Sequence, residues 1–141
     1  MSLLTDLRAR LVADSGISAL TTRVRMGRSE QSDTLPRIIL HTITSRHEHH
    51  MGAATGFVQG TIQIDCLAQY PPDAEALAEA VRQSLDGYRG AVGSTYISTM
   101  HLTDERSQET PPREGEDASG GISMVQHDYT VGWRVSVPTF S

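Results

Sequence analysis

The sequence predicts an α+β domain, with a mostly antiparallel sheet of about four to five strands packed by one long helix plus an N-terminal helix. Three observations predict it. "FVQGTIQIDCLAQ" alternates apolar and polar residues, as a strand buried on one side does. "PPDAEALAEAVRQSLDGYRG" carries its apolar residues at helical spacing. The other apolar runs are short and rich in β-branched residues, and short connectors between such runs favour antiparallel pairing.

The elements follow in order. "LLTDLRARLVAD" places Leu3, Leu4, Leu7 and Leu11 on one helical face, with Asp6, Arg8 and Arg10 elsewhere. Gly16, after Asp14 and Ser15, would end that helix. "TRVRMG" suits a short strand, and "SEQSDTLP" is a polar connector ending at Pro36. "RIILHTIT" predicts a strand from about Arg37 to Thr44. The histidine-rich stretch and "GAATG" then read as a loop. In the next strand Val58, Gly60, Ile62, Ile64 and Cys66 share one face, and Gln59, Thr61, Gln63 and Asp65 share the other.

The long helix has Asp73 as its expected N-cap, with Glu75 favourable near the dipole. Ala74, Leu77, Ala78, Val81 and Leu85 form its apolar stripe, and Gly87 follows its end. "STYISTMHLTDER" predicts a strand with Tyr96, Met100 and Leu102 among its apolar positions. Residues 106–121, "RSQETPPREGEDASGG", hold no apolar residue larger than alanine or proline and read as a flexible polar loop. "ISMVQHDYTVGWRVSVP" predicts the last strand, with Val125, Tyr129, Val131, Trp133, Val135 and Val137 on one face. The expectation is a single domain over 1–141, a length that suits one core.

Composition narrows the function. A net charge of −5 gives no general attraction to nucleic acid or to anionic membrane. The twelve basic residues are all arginine. Arginine's rigid fork suits protein interfaces, although a GC-rich genome gives the same bias. Cys66 is a single cysteine, expected to be a small buried hydrophobe. No run reaches bilayer length, and "MSLLTDLRARL" carries charges within its apolar stretch, unlike a signal peptide. Synthesis in the cytoplasm is the expectation.

The stretch "SRHEHHMGAATG" looks most like chemistry, since His47, His49 and His50 flank Glu48 within four positions. A zinc enzyme needs three ligands converging on one point, often with two at i, i+4 on a helix. His47 and His49 are i, i+2, and in a strand His50 points the other way. A solvated or subunit-contact loop therefore outweighs a metal site at His47, His49 and His50. The sequence holds no Gly-x-Ser-x-Gly and no P-loop. Asp104, Glu105 and Arg106 read as a solvated strand end. Asp65 and Asp128 read as polar positions on edge strands. The expectation is no enzyme and no cofactor.

The ordered series "LPRIILHT", "GTIQIDCLAQ", "DAEALAEAVRQSLDGYRG", "ISTMHLTDER" and "QHDYTVGWRVSV" resembles the tail completion or tail terminator proteins of long-tailed phages and gene transfer agents. The resemblance implies a structural subunit of a hexameric ring, made in the host bacterial cytoplasm and carried in the tail or neck of the virion. The ring would cap the tail tube, end its polymerisation and join it to the head connector. The implied partners are further copies of the chain, the tail tube protein and the head–tail connector protein. DNA would pass through without specific binding, and no membrane is involved. Arg46, His47, Glu48, His49, His50, Arg106, Glu109, Arg113 and Glu114 are the expected interface residues. A head-completion or neck connector protein stands as the alternative reading, followed by a small metal-binding enzyme.

Overall fold

The computed structural model describes residues 3–27, 35–50, 53–93, 95–110 and 121–134. The order is α1 (Leu3–Ala13), α2 (Ser15–Ser18), β1 (Val24–Met26), β2 (Arg37–His50), β3 (Ala53–Ala68), α3 (Pro71–Leu85), β4 (Gly90–Val92), β5 (Thr95–Thr110) and β6 (Ile122–Arg134). One six-stranded sheet has the order β1-β2-β3-β6-β5-β4. β1 runs parallel to β2, and every other neighbour is antiparallel.

The α+β expectation therefore holds, and the detail changes. The sheet has six strands rather than four to five: β1 is the short strand expected at "TRVRMG", and β4 adds three residues at the other edge. Three helices replace two. Asp14, in extended geometry, interrupts the helix and caps the one-turn α2 by accepting from the Gly16 and Ile17 amides. The expected loop at the histidines is strand instead. β2 runs on to His50 and β3 starts at Ala53, because each strand supplies the other's backbone partners without needing an apolar pattern. Likewise residues 106–110 of the expected polar loop continue β5, paired with Ile122–Gln126. The rest of that loop, 111–120, lies outside the described residues.

The core sits between the sheet and the helices. Val58, Ile62, Ile64 and Cys66 of β3 are buried beside Val125, Tyr129, Val131 and Trp133 of β6. Val135 and Val137 lie outside the described residues. All five stripe residues of α3 are buried. The helix starts at Pro71 rather than at an Asp73 cap. Proline suits a first turn, where its missing N–H is one that would have no helical partner. Gly87, at φ 80, carries the chain out of the helix. In β5 the buried apolar positions are Ile97 and Met100, while Tyr96 is 43% exposed.

α1 buries Leu3, Leu7 and Leu11, and also Asp6, which its helical position set apart from that face. The Asp6 carboxylate accepts a short hydrogen bond from the Thr95 hydroxyl, which ties α1 to the start of β5. Gly93 leaves the room for this, since a Cβ there would lie 2.4 Å from Asp6 Oδ1.

Two outcomes test this packing. Val81→Asp would bury an unpaired charge under α3 and should lower stability by about 3 kcal/mol or more in chemical denaturation. Near-unchanged unfolding would mean α3 does not seal the core. Burial pushes the Cys66 thiol well above its ordinary range, so thiol-alkylating reagents should spare it in the folded protein and label it in denaturant. Rapid labelling under native conditions would contradict its placement.

Candidate assembly surfaces

The helices cover one face of the sheet, and the other face carries the polar half of each strand's alternation. Gln59, Thr61, Gln63 and Asp65 of β3 align there with Gly132, Thr130, Asp128 and Gln126 of β6. The expectation of one polar face holds, with one correction. β3 and β6 are central strands, so Asp65 and Asp128 are polar because of the face they occupy, not because of an edge.

Two charged groups organise this face. Asp65 is buried, yet both carboxylate oxygens have partners. His41 Nε2 lies 3.2 Å from Oδ2, and Gln63 Nε2 donates to Oδ1 at 2.9 Å. Arg106 bridges two carboxylates, at 2.6 Å from Asp104 and 3.1 Å from Asp128. Asp104, Glu105 and Arg106 thus stand within β5 rather than at its end, because hairpin pairing carries the strand to Thr110. The sequence held a signal for this face in the alternation of β3. It held none for the cross-strand partner of Arg106, which depends on register.

Beneath α3 the sheet buries one histidine. His127 lies 2.8 Å from Glu105 Oε2 through Nε2 and 3.2 Å from the Tyr129 hydroxyl through Nδ1. Burial pushes the Tyr129 hydroxyl above its ordinary range. These contacts satisfy the polar groups of an otherwise apolar layer, which is a structural task.

The expected interface residues fall into two groups that the subunit holds apart. Arg46 and His47 are exposed on β2, near the end of the sheet where Phe57 pairs with Arg134. Glu48, His49 and His50 extend the same strand, and their side chains lie outside the described residues. Arg106 and Glu109 are exposed on β5 toward the opposite end, where Ala68 pairs with Ser123. Arg113 and Glu114 lie outside the described residues. The end where His50 of β2 pairs with Ala53 of β3 and the end where Thr110 of β5 pairs with Ile122 of β6 consequently lie at opposite ends of the sheet.

Among the described residues no three His, Cys, Asp or Glu side chains gather as a metal site. The three-histidine alternative rests partly on His49 and His50, whose side chains lie outside those residues. Among the described residues no helix is long and apolar enough to cross a membrane.

Residues 5–115 match the family of tail completion protein gp17. Among solved structures, a chain of the virion of a native gene transfer agent particle is similar at 14% identity and a TM-score of 0.72. That alignment covers 95% of this chain and 96% of the other, and at this identity it speaks for the fold. No curated protein matches the chain.

The histidine stretch yields a direct prediction. Chelator treatment should leave the melting temperature and assembly of the purified protein unchanged. Stoichiometric zinc that survives dialysis, with melting that collapses on chelation, would make His47, His49 and His50 a metal site after all.

Proposed function

The chain belongs to the family of tail completion protein gp17, and from that premise we propose that it forms a ring that caps the finished tail tube. The family makes it a structural protein of a virion tail. The finer role adds three steps: copies of the chain close into a hexameric ring, the ring ends tube growth, and its far side receives the head connector.

The family match carries this reading, because it alone specifies a tail. The geometry supports it. A tube of stacked rings always exposes one more binding surface at its end, so growth stops only when something covers that surface. A cap of this kind needs two separate contact regions, one for the tube and one for the connector. The two ends of the sheet, one at His50 and Ala53 and the other at Thr110 and Ile122, would supply them. Likeness to a chain of a gene transfer agent virion is in keeping with such a setting. The role needs interface area and shape, and it requires no nucleophile or metal. A net charge of −5 also suits a conduit through which DNA slides rather than binds.

A particle lacking this protein should fill its heads and polymerise tubes, but the tubes should have uncontrolled length and remain unjoined. Electron microscopy of a deletion lysate reads this directly. Tails of normal length attached to heads would refute the terminator role. Normal free tails beside empty or leaking heads would support the head-completion alternative instead.

A further inference from the structure

Both edges of the sheet are only partly closed. β1 covers Ile38–Leu40 of β2, and among the described residues no strand pairs with the outer side of His41–His50. β4 covers Thr95–Ile97 of β5, and the loop after α3 covers the next turn of it. The Gly87 amide donates to the Met100 carbonyl, and Asp86 Oδ1 accepts from the Leu102 amide. Among the described residues no strand pairs with the outer side of Thr103–Thr110. Such edges present rows of backbone donors and acceptors that template a further strand.

We propose that the free edge of β2 in one copy pairs antiparallel with the free edge of β5 in the next copy, in a register that sets Arg46 opposite Asp104. This rests on the ring reading above and names the surface that closes the ring.

Charge argues for this occupant. The β5 edge carries Asp104, Glu105 and Glu109 against one arginine, Arg106, which Asp128 also shares. The free β2 edge over His41–His47 carries Arg46 and no carboxylate. Pairing β5 with a second β5 would set acids beside acids, which disfavours a two-fold contact. Unlike edges must meet, so the contact is head-to-tail, the kind that generates rings.

Facing residues argue for the register. Arg46 pairs with Gln59 and Asp104 with Asp128, and all four belong to the bare polar face. Opposed residues of an antiparallel pair share a face, so Arg46 and Asp104 meet there without reversing the sheet. Thr44–His47 lies between the two irregularities of β2 and meets Thr103–Arg106, beside the irregularity of β5.

The offset argues for closure. Arg46 is level with Gln59, and Asp104 is level with Gln63 through Asp128, so each copy is displaced by four residues along the strands. Four residues correspond to about 13 Å along a strand, and four strands to about 19 Å across the sheet. Closing without net rise then tilts the strands by about 35° to the ring axis, within the usual range of about 35–45° for closed sheets.

Cysteines at Arg46→Cys and Asp104→Cys in one full-length chain test the contact in assembled particles. Directly opposed residues lie about 4.5–5.5 Å apart, which a disulfide spans. Buried Cys66 does not compete. The expected result is a ladder of covalent multimers on a non-reducing gel, absent from either single variant. Charge exchange provides a second readout. Arg46→Glu and Asp104→Arg should each reduce joined particles at least tenfold, and the double variant should restore them. Particles of normal tail length that show no ladder, or single charge variants without effect, would overturn the edge contact and leave the ring standing. A tail holding one copy of the chain would overturn both.

Discussion

The alignment of β3 with β6 is the constraint on which the rest depends. The two strands pair from Phe57↔Arg134 to Ala68↔Ser123 without a bulge. Side chains alternate between faces along a strand, so a slip of one residue would exchange every core position for a polar one. Ile62, Ile64 and Cys66 would leave the core, and Gln63 and Asp65 would enter it. The cost of such a slip fixes the register. The pairs on either side, β2–β3 and β5–β6, both contain irregularities. The sheet thus has an unbroken centre and adjustable flanks, and α3 sits over that centre against β3, β6 and β5.

What was legible in the sequence follows from this division. The α3 stripe and the β3 alternation are periodic because burial on one side demands it, so the sequence carried them plainly. "SRHEHH" and "SQET" carry no apolar period, because most of those positions face solvent whichever way the strand turns. Their strand geometry comes from the hairpin partner, which no local pattern records. Asp6 was missed for a related reason. A charged residue in a helix reads as solvated unless its partner is known, and Thr95 lies 89 positions away. The family resemblance was legible because it rests on the order of such periodic segments, and residues 5–115 contain all but the last of them.

Polar groups divide sharply between the two faces. On the helix side, His127 is nearly fully buried and has partners through both ring nitrogens. On the bare side, Asp65 is buried with both oxygens satisfied within the sheet, whereas Arg106 keeps its partners near water. A buried polar group must be satisfied within the subunit, whereas a group near water remains available to a neighbour. The groups that can serve assembly are therefore those of the bare face and the edges, which are also the ones without an apolar signature.

In the proposed ring, the stepped edges would let a small subunit leave strands bare without growing indefinitely. Long open edges ordinarily invite aggregation, and flat ones accept a partner in many registers. Here β1 fills one end of the first edge, while β4 and the Asp86–Gly87 loop fill the opposite end of the second. Only a neighbour displaced along the strands reaches both free stretches. Like charge on the β5 edge would disfavour a copy that presents the same edge, and the polar face would disfavour a copy turned over. The tilt that this displacement implies is the kind a closed sheet requires, so in the proposed ring extension would end when the last copy meets the first. Such a ring would join the free stretches of β2 and β5, and the two ends of the sheet would remain for other contacts. In the proposed ring, growth of the sheet and attachment to partners would fall to different parts of the same fold.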